Sequence, residues 1–331
     1  MPQVSVVLPV YNAASTIERA VSSVLQQTLS DIELVVVNDG SADGTKNVLQ
    51  NICDIRLRVI DIPHSGVATA ANTGTDAARA DIIARMDADD VSHPQRLERQ
   101  LQLLNEQNAD AVGCQVRIVR QDGSVATSLQ RYQQWINDET LTNEQIRALR
   151  FVELPLVNPT IMARRLYFAA GFRDNEFPED YDLMLRAAEN GAVFGKVPAV
   201  LYDWTDSAAR LTRNCPRYSD DAFMQCRRHF LQKGPLSDVS TIDLWGAGQT
   251  GKPWLRWLQS CGLEVRKVID VSSRKIGTRI HDTLVTDPDT MPPADGTPLI
   301  IAVGAAGARP LIRSHITARG YREGTDAWFV A

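Results

Sequence analysis

Residues 4–39, VSVVLPVYNAASTIERAVSSVLQQTLSDIELVVVND, read as a strand, a helix and a second strand. VSVVLPV and ELVVVND are unbroken, β-branched runs of the kind that central parallel strands show when both faces are covered. Between them a helical pattern runs from Ser15 to Gln27. The alternation continues with a helix over Asp43–Asn51, the strand LRVIDI, a helix from about Gly66 to Arg79, and the strand DIIARMD. Strands alternating with helices in this way predict βαβ units, hence an α/β fold with a mostly parallel central sheet.

The four strands are predicted to end at Pro9, Asn38, Ile62 and Met86. Open α/β sheets bind ligands beyond the carboxyl ends of their strands, so PVYN, NDGS, HSG and DADD face one crevice. In DADD, Asp87 and Asp89 are one residue apart, and in an extended segment their side chains share a face. Mg²⁺ and Mn²⁺ take oxygen ligands of this kind and leave positions open for phosphate. The competing reading is structural: acidic residues ahead of a helix starting near Pro94, with Ser92 as its cap. Asp39 closes its strand as either a turn former or an acceptor for a base N–H or ribose hydroxyl. FPEDYDLMLRAAENG sets Glu179 and Asp180 at a helix start with Asp182 just beyond, good helix chemistry and equally a rigid mount for a general base.

In combination these segments resemble the family 2 glycosyltransferases of the GT-A fold. The stretch from VSVVLPVYN to NDGSADGT, the approach AANTGTDAARADIIARMDADD and the helix FPEDYDLMLRAAENG carry the resemblance over roughly residues 1–215. It implies a metal-dependent inverting transfer of a sugar from a nucleotide-diphosphate donor, with Mn²⁺ or Mg²⁺ as cofactor. Position by position it implies that Pro9, Tyr11 and Asn12 line the nucleotide pocket, Asp39 binds the base, Asp87 lies against the nucleoside and Asp89 holds the metal. Asp180 would be the catalytic base, supported by Glu179. This chain departs from the family in two places. LYDWTDSAARLTRN has no histidine to hold the diphosphate, which leaves Arg210 or Arg213 for that role. In the other, His64 and Ser65 stand where the family often has an asparagine.

The texture changes near residue 230. LQKGPLSDVS has the composition of a linker, and TIDLWGAGQTGKPWLRWLQSCGLEVRKVID then restarts as strand, glycine turn, helix and strand. We expect a GT-A catalytic domain over 1–234 and a small Rossmann-like α/β domain over 235–331. Gly246, Gly248 and Gly251 follow a G-x-G-x-x-G spacing, and Asp270 comes about 20 residues later, where a ribose-binding carboxylate would stand. That makes a C-terminal nucleotide site a candidate, although the glycines are also explained by a tight turn. Trp254 and Trp257 share a helical face suited to packing on the catalytic domain or on a second subunit, which leaves a homodimer open.

With 44% hydrophobic and 23% charged residues the chain of 331 is an ordinary globular sequence, and its net charge of −5 offers no general attraction to nucleic acid. Five scattered cysteines without C-x-x-C spacing suit a reduced, cytoplasmic setting. The sequence enters a strand at once, with no signal-peptide pattern and no run of 18 apolar residues, so no leader or transmembrane segment is expected. Membrane contact would be peripheral, at the inner face, as a lipid-linked saccharide acceptor would require; a soluble saccharide would not. Three other readings compete: a sugar nucleotidyltransferase, which lacks its glycine-rich basic loop here; an NAD-binding oxidoreductase or sensor working through the C-terminal domain; and a non-catalytic sugar-nucleotide binder.

Overall fold

The strand–helix alternation of the first hundred residues builds half of an eight-stranded sheet. A computed structural model describes residues 1–120, 123, 125–207 and 210–331. The chain forms two units, Met1–Ile146 with Pro155–Cys226, and Arg147–Leu154 with Arg227–Ala331.

In the first unit β1 (Val4–Val10), α1 (Ile17–Leu25), β2 (Ile32–Asp39), α2 (Thr45–Gln50), β3 (Leu57–Ile62), α3 (Val67–Ala77) and β4 (Ile82–Arg85) follow in order. Next come β5 (Val91–Ser92), α4 (Arg96–Glu106), β6 (Ala111–Val119), α5 (Thr127–Asp138) and α6 (Asn143–Leu149), whose last residues belong to the second unit. Then β7 (Met162–Arg164), α7 (Arg165–Phe168), α8 (Glu179–Glu189), β8 (Phe194–Thr205), α9 (Leu211–Asn214) and α10 (Asp220–Lys233), which from Arg227 on belongs to the second unit, complete the series. The strand order is β3-β2-β1-β4-β7-β6-β8-β5. The pairs among β3, β2, β1 and β4 are parallel, as is β6 with β8, whereas β7 runs against both its neighbours and β5 against β8. The expected hairpin turn at RQDGSV, residues 120–125, falls on positions 121, 122 and 124, outside the described residues.

β1 and β2 are covered on both faces. Val4, Val6, Leu8 and Val10 meet Ile17, Val21 and Val24 of α1 in one cluster, while Val35 and Val37 turn to Ala70 of α3 on the other side. The period-2 pattern of each strand thus feeds two layers of helices. Ser92 corrects the capping expectation. It lies in β5, its hydroxyl accepts from Gln27 Nε2 at 3.1 Å, and α4 begins only at Arg96 without a side-chain cap.

The second unit has its own six-stranded sheet, built from β9 (Thr241–Trp245), α11 (Gly251–Ser260), β10 (Glu264–Ile269), β11 (Arg279–Ile280), β12 (Thr283–Thr286), β13 (Leu299–Ile301), α12 (Ala308–Thr317) and β14 (Ala327–Phe329). The order is β11-β12-β10-β9-β13-β14, parallel apart from β11 against β12. Trp254 is fully buried and meets Trp257 edge-on at 5.4 Å, on a helix that packs on β9 and β10 of its own sheet.

Lys196 is a buried charge of the first unit with no carboxylate partner among the described residues. Lys196 of β8 is 3% exposed, and its Nζ donates to Ile136 O at 2.5 Å, Pro155 O at 2.8 Å and the Thr140 hydroxyl. Burial pushes its amine down to about 7. The unfolded lysine keeps its proton to about pH 10, so between pH 7 and 10 the unfolded state binds more protons and this residue adds stability as pH rises. Thermal unfolding midpoints measured from pH 6 to 10 should therefore rise more steeply across that window in the wild type than in Lys196→Met, whose profile is flatter.

Candidate active site

Three loops at the carboxyl ends of β1, β2 and β3 are stitched together by side chains that accept from main-chain N–H groups. Asn12, in the left-handed region with φ 50°, donates its own N–H to Ser41 Oγ at 2.9 Å and receives Ala42 N–H on Oδ1 at 2.8 Å. Ala13 and Ala14 donate to Thr45 Oγ1 and Asp43 Oδ2 at 2.8 and 3.0 Å. Asparagine tolerates this backbone better than most residues, which explains its place at the bend. Asp39 is buried, and its two oxygens accept Ser65 N–H at 2.7 Å and Gly66 N–H at 2.9 Å. His64 Nδ1 lies 3.0 Å from Asp39 Oδ2. Asp39 therefore clasps the loop after β3 in addition to closing its own strand. The clasp needs Gly40, whose φ is 68° and where a Cβ would stand 2.6 Å from His64 N. Tyr11, half exposed, stacks on His64 with ring centroids 4.1 Å apart and planes at 23°, an aromatic face at the mouth of the crevice. Pro9 lies within β1, in register with Val37.

The carboxylates gather beyond β4. That strand ends at Arg85 and residues 88–89 form a turn, so the alternation expected to put Asp87 and Asp89 on one face does not apply. The turn is held from behind. Asp89 O accepts Thr205 Oγ1 at 2.7 Å and Arg19 Nη2 at 2.9 Å, Asp90 Oδ1 accepts Thr205 N–H at 2.7 Å, and Asp87 N–H reaches the Tyr202 hydroxyl at 3.3 Å. These bonds fix the main chain and leave the Asp89 carboxylate without a donor side chain among the described residues. Burial raises all three acids. Proximity to Asp87 adds to the effect on Asp89, which reaches about 6, and both neighbours push Asp90 well above the carboxylate range.

Two guanidiniums lie beneath, neither legible as functional in the sequence. Arg85 is 1% exposed, donates to Val7 O at 3.3 Å, stands 4.0 Å from Asp87 Oδ1 and lies over the Phe172 ring at 5.3 Å. Arg96 donates to Arg85 O at 2.7 Å and to Gln100 Oε1 at 2.9 Å, over the Tyr202 ring at 5.0 Å. The one available signal was the arginine inside the apolar run IIARM.

At the start of α8, Glu179 is buried and Asp180 partly exposed. Asp180 Oδ1 accepts the N–H of Tyr181 at 2.8 Å. Its proton affinity is raised by burial, by Glu179 and, further off, by Asp87, which brings the helix start and the acidic turn into one electrostatic neighbourhood. Asp182 pairs with Arg186 at 2.9 Å and serves the helix itself. The two candidate arginines separate clearly. Arg213 binds Asp206 Oδ1 at 2.5 Å, whereas Arg210 stacks over Trp204 at 4.2 Å and draws both Asp87 and Asp89 toward the ionised form.

In the second unit Gly246 and Gly251 shape the turn after β9. Gly246 has φ 122°, and a Cβ on Gly251 would stand 1.8 Å from Gly246 O. Gly248 faces open space. Asp270 receives Ala247 N–H and Ser272 N–H, each at 2.8 Å, and Lys275 Nζ at 3.1 Å, donors that hold its carboxyl below the usual range.

Residues 5–172 match Glycosyl transferase family 2. The uncharacterized glycosyltransferase EpsJ of Bacillus subtilis is 38% identical over 116 residues, 34% of either chain. Chondroitin synthase of Pasteurella multocida is 29% identical over 195 residues, 58% of this chain but 19% of its own length. Succinoglycan biosynthesis protein ExoO of Rhizobium meliloti is 40% identical over 119 residues, 36% of this chain and 33% of its own. The chain thus spans about a third or less of these relatives. Among solved structures, Staphylococcus aureus TarS 1–349 in complex with UDP-GlcNAc superposes with a TM-score of 0.55 at 20% identity, over 70% of this chain and 65% of that one. Mannosyltransferase PcManGT from Pyrobaculum calidifontis, in complex with GDP-Man and Mn²⁺, gives 0.51 at 19% identity, over 79% and 69%. At these identities the likeness is one of fold, an α/β architecture of GT-A type.

The clasp can be tested without any ligand. Asp39→Ala strips the Ser65 and Gly66 N–H groups of their acceptor. The expected loss is about 2–4 kcal/mol, read as a lower denaturation midpoint with unchanged m.

Proposed function

The chain belongs to glycosyl transferase family 2, and from that premise we propose that its first unit moves a sugar from a nucleoside-diphosphate donor to an acceptor hydroxyl with inversion. One observation carries the reading: the buried Arg85 guanidinium stands 4.0 Å from Asp87 Oδ1 and lies in the field of Glu179 and Asp180 as well, so the acidic turn after β4 and the carboxyl pair at the start of α8 are gathered around one cation. A displacement reaction needs that arrangement, one group on the leaving side and one on the attacking side.

Tyr11 and His64 offer a stacking face for the base, bordered by Pro9 and Asn12. Asp39 keeps second lone pairs for a base N–H while it holds the ledge. Asp87 borders the nucleoside. Asp89 is the group we propose to hold Mn²⁺ or Mg²⁺. The local donor set fits a hard cation: it is all oxygen, carries excess negative charge, and includes Asp90 Oδ2, buried without a hydrogen-bond partner among the described residues. No cluster of three such side chains close enough to enclose an ion occurs among the described residues, so phosphate oxygens and water would complete the shell. A bound cation would stabilise charge on the departing diphosphate. Arg210, free of the pairing that occupies Arg213, would bind that diphosphate. Asp180 takes the proton of the acceptor hydroxyl, with Glu179 beside it.

The acceptor we propose is a saccharide or lipid-linked saccharide in bacterial polysaccharide or glycoconjugate synthesis, in keeping with relatives named for chondroitin and succinoglycan. The reaction would run in the cytoplasm or at the inner face of the membrane. Among the described residues no helix is long and apolar enough to cross one. The second unit we read as Rossmann-like in its run of parallel strands, with Asp270 clasping its own glycine turn instead of a ribose.

Calorimetric titration with UDP, GDP, dTDP and NAD, each with and without Mn²⁺, tests the reading. Metal-enhanced binding of one nucleoside diphosphate is expected, and binding of NAD alone would move the function to the second unit. Asp89→Ala should abolish the Mn²⁺ enhancement; equal enhancement in that variant removes Asp89 as ligand. Asp180→Asn should lower transfer by about 10²–10⁴-fold with donor binding intact, and an active variant would reassign the base.

A further inference from the structure

Two adjacent carboxyl groups open α8, and the fold gives them unlike surroundings. Glu179 is 4% exposed, its Oε2 accepts the Tyr218 hydroxyl at 2.6 Å, and Arg217 Nη1 stands 3.9 Å from the same oxygen while its other terminal nitrogen binds Asp174. Asp180 has only main-chain N–H groups on its carboxyl, that of Tyr181 at 2.8 Å and its own, and no side-chain donor among the described residues. Tyr167, whose hydroxyl is buried without a hydrogen-bond partner among the described residues, faces it from α7. The other charged groups facing the pair are Arg85 from β4, Asp87 from the turn after β4, and Arg217 with Tyr218 from the 3-10 turn Pro216–Tyr218.

Burial raises the proton affinity of both acids, so they compete for protons. A donor on an ionised carboxylate or a cation close to it favours the charged form; Tyr218 donates to Glu179 and Arg217 adds its charge beside the same oxygen. A standing charge on Glu179 in turn raises the proton affinity of its neighbour. Two carboxyls set apart in this way take different tasks. We infer that Tyr218 is a positioning residue: its hydroxyl pins Glu179 as the standing anion and leaves Asp180 as the group that receives the acceptor's proton. This rests on the transferase reading of the site. In the transfer the acceptor O–H bond breaks, its proton goes to an Asp180 oxygen, and the oxygen's electron pair forms the new bond to the anomeric carbon. The bond from that carbon to the diphosphate oxygen breaks, and its electrons leave with the diphosphate.

Tyr218→Phe keeps the ring and removes the donor. At pH 7 kcat should fall about tenfold with donor KM nearly unchanged. The acid limb of the kcat–pH profile should move to higher pH by about one unit or more, because losing a donor to the ionised pair raises its apparent pKa values, and activity should recover toward wild type in alkali. A loss equal at every pH, a rise in KM alone, or wild-type behaviour throughout overturns the inference. A double-mutant cycle of Tyr218→Phe with Glu179→Gln, read by thermal unfolding, needs no turnover. Non-additive midpoints support the pinning and additive ones overturn it. If the wild-type protein consumes no nucleotide sugar, the transferase reading fails, while the cycle still decides whether Tyr218 holds Glu179.

Discussion

The carboxylates at the strand ends repel one another, and the protein contains that repulsion with two guanidiniums that it has buried completely. Arg85 and Arg96 lie under the acidic turn, one beside Asp87 and the other bound to the main chain of the first. An isolated buried arginine is costly, and burial pulls both guanidiniums toward releasing their protons. The two charge excesses offset each other across a few ångströms. The sheet order places β4 between β1 and β7, and so puts Arg85 in the interior.

Much of the first unit is legible in order along the chain. The β-branched runs mark β1 and β2, the alternation predicts the parallel half of the sheet, and Pro178 ahead of three acidic residues marks the start of α8. The antiparallel β7 and the strand β5 carry no such signal, being three and two residues long. What stayed hidden is non-local. Arg85 reads as a polar interruption of an apolar strand until β1 and Phe172 close over it. The partners of Asp39 come from a loop 26 and 27 positions away, and Tyr218 lies 39 positions from Glu179. No periodicity or short motif can express contacts at that separation.

The glycine spacing of the second unit shows the reverse risk, a motif with an adequate mechanical cause. Gly251 must lack a side chain because the carbonyl of Gly246 occupies the space, and Asp270 stands at the expected distance because it bonds the same turn. The sequence pattern is real. The physical need behind it is tight packing of strand against helix, which a dinucleotide-binding unit shares.

The stitched loops beyond β1 and β2 carry a consequence for how such a chain can diverge. Asn12 and Ser41 each satisfy the other loop, as do Ala14 and Asp43, so the two loops behave as one inherited piece. A substitution at Asn12 strands a donor in the partner loop and invites a compensating change there. Drift across lineages should therefore travel in linked pairs over positions 12–14 and 41–45.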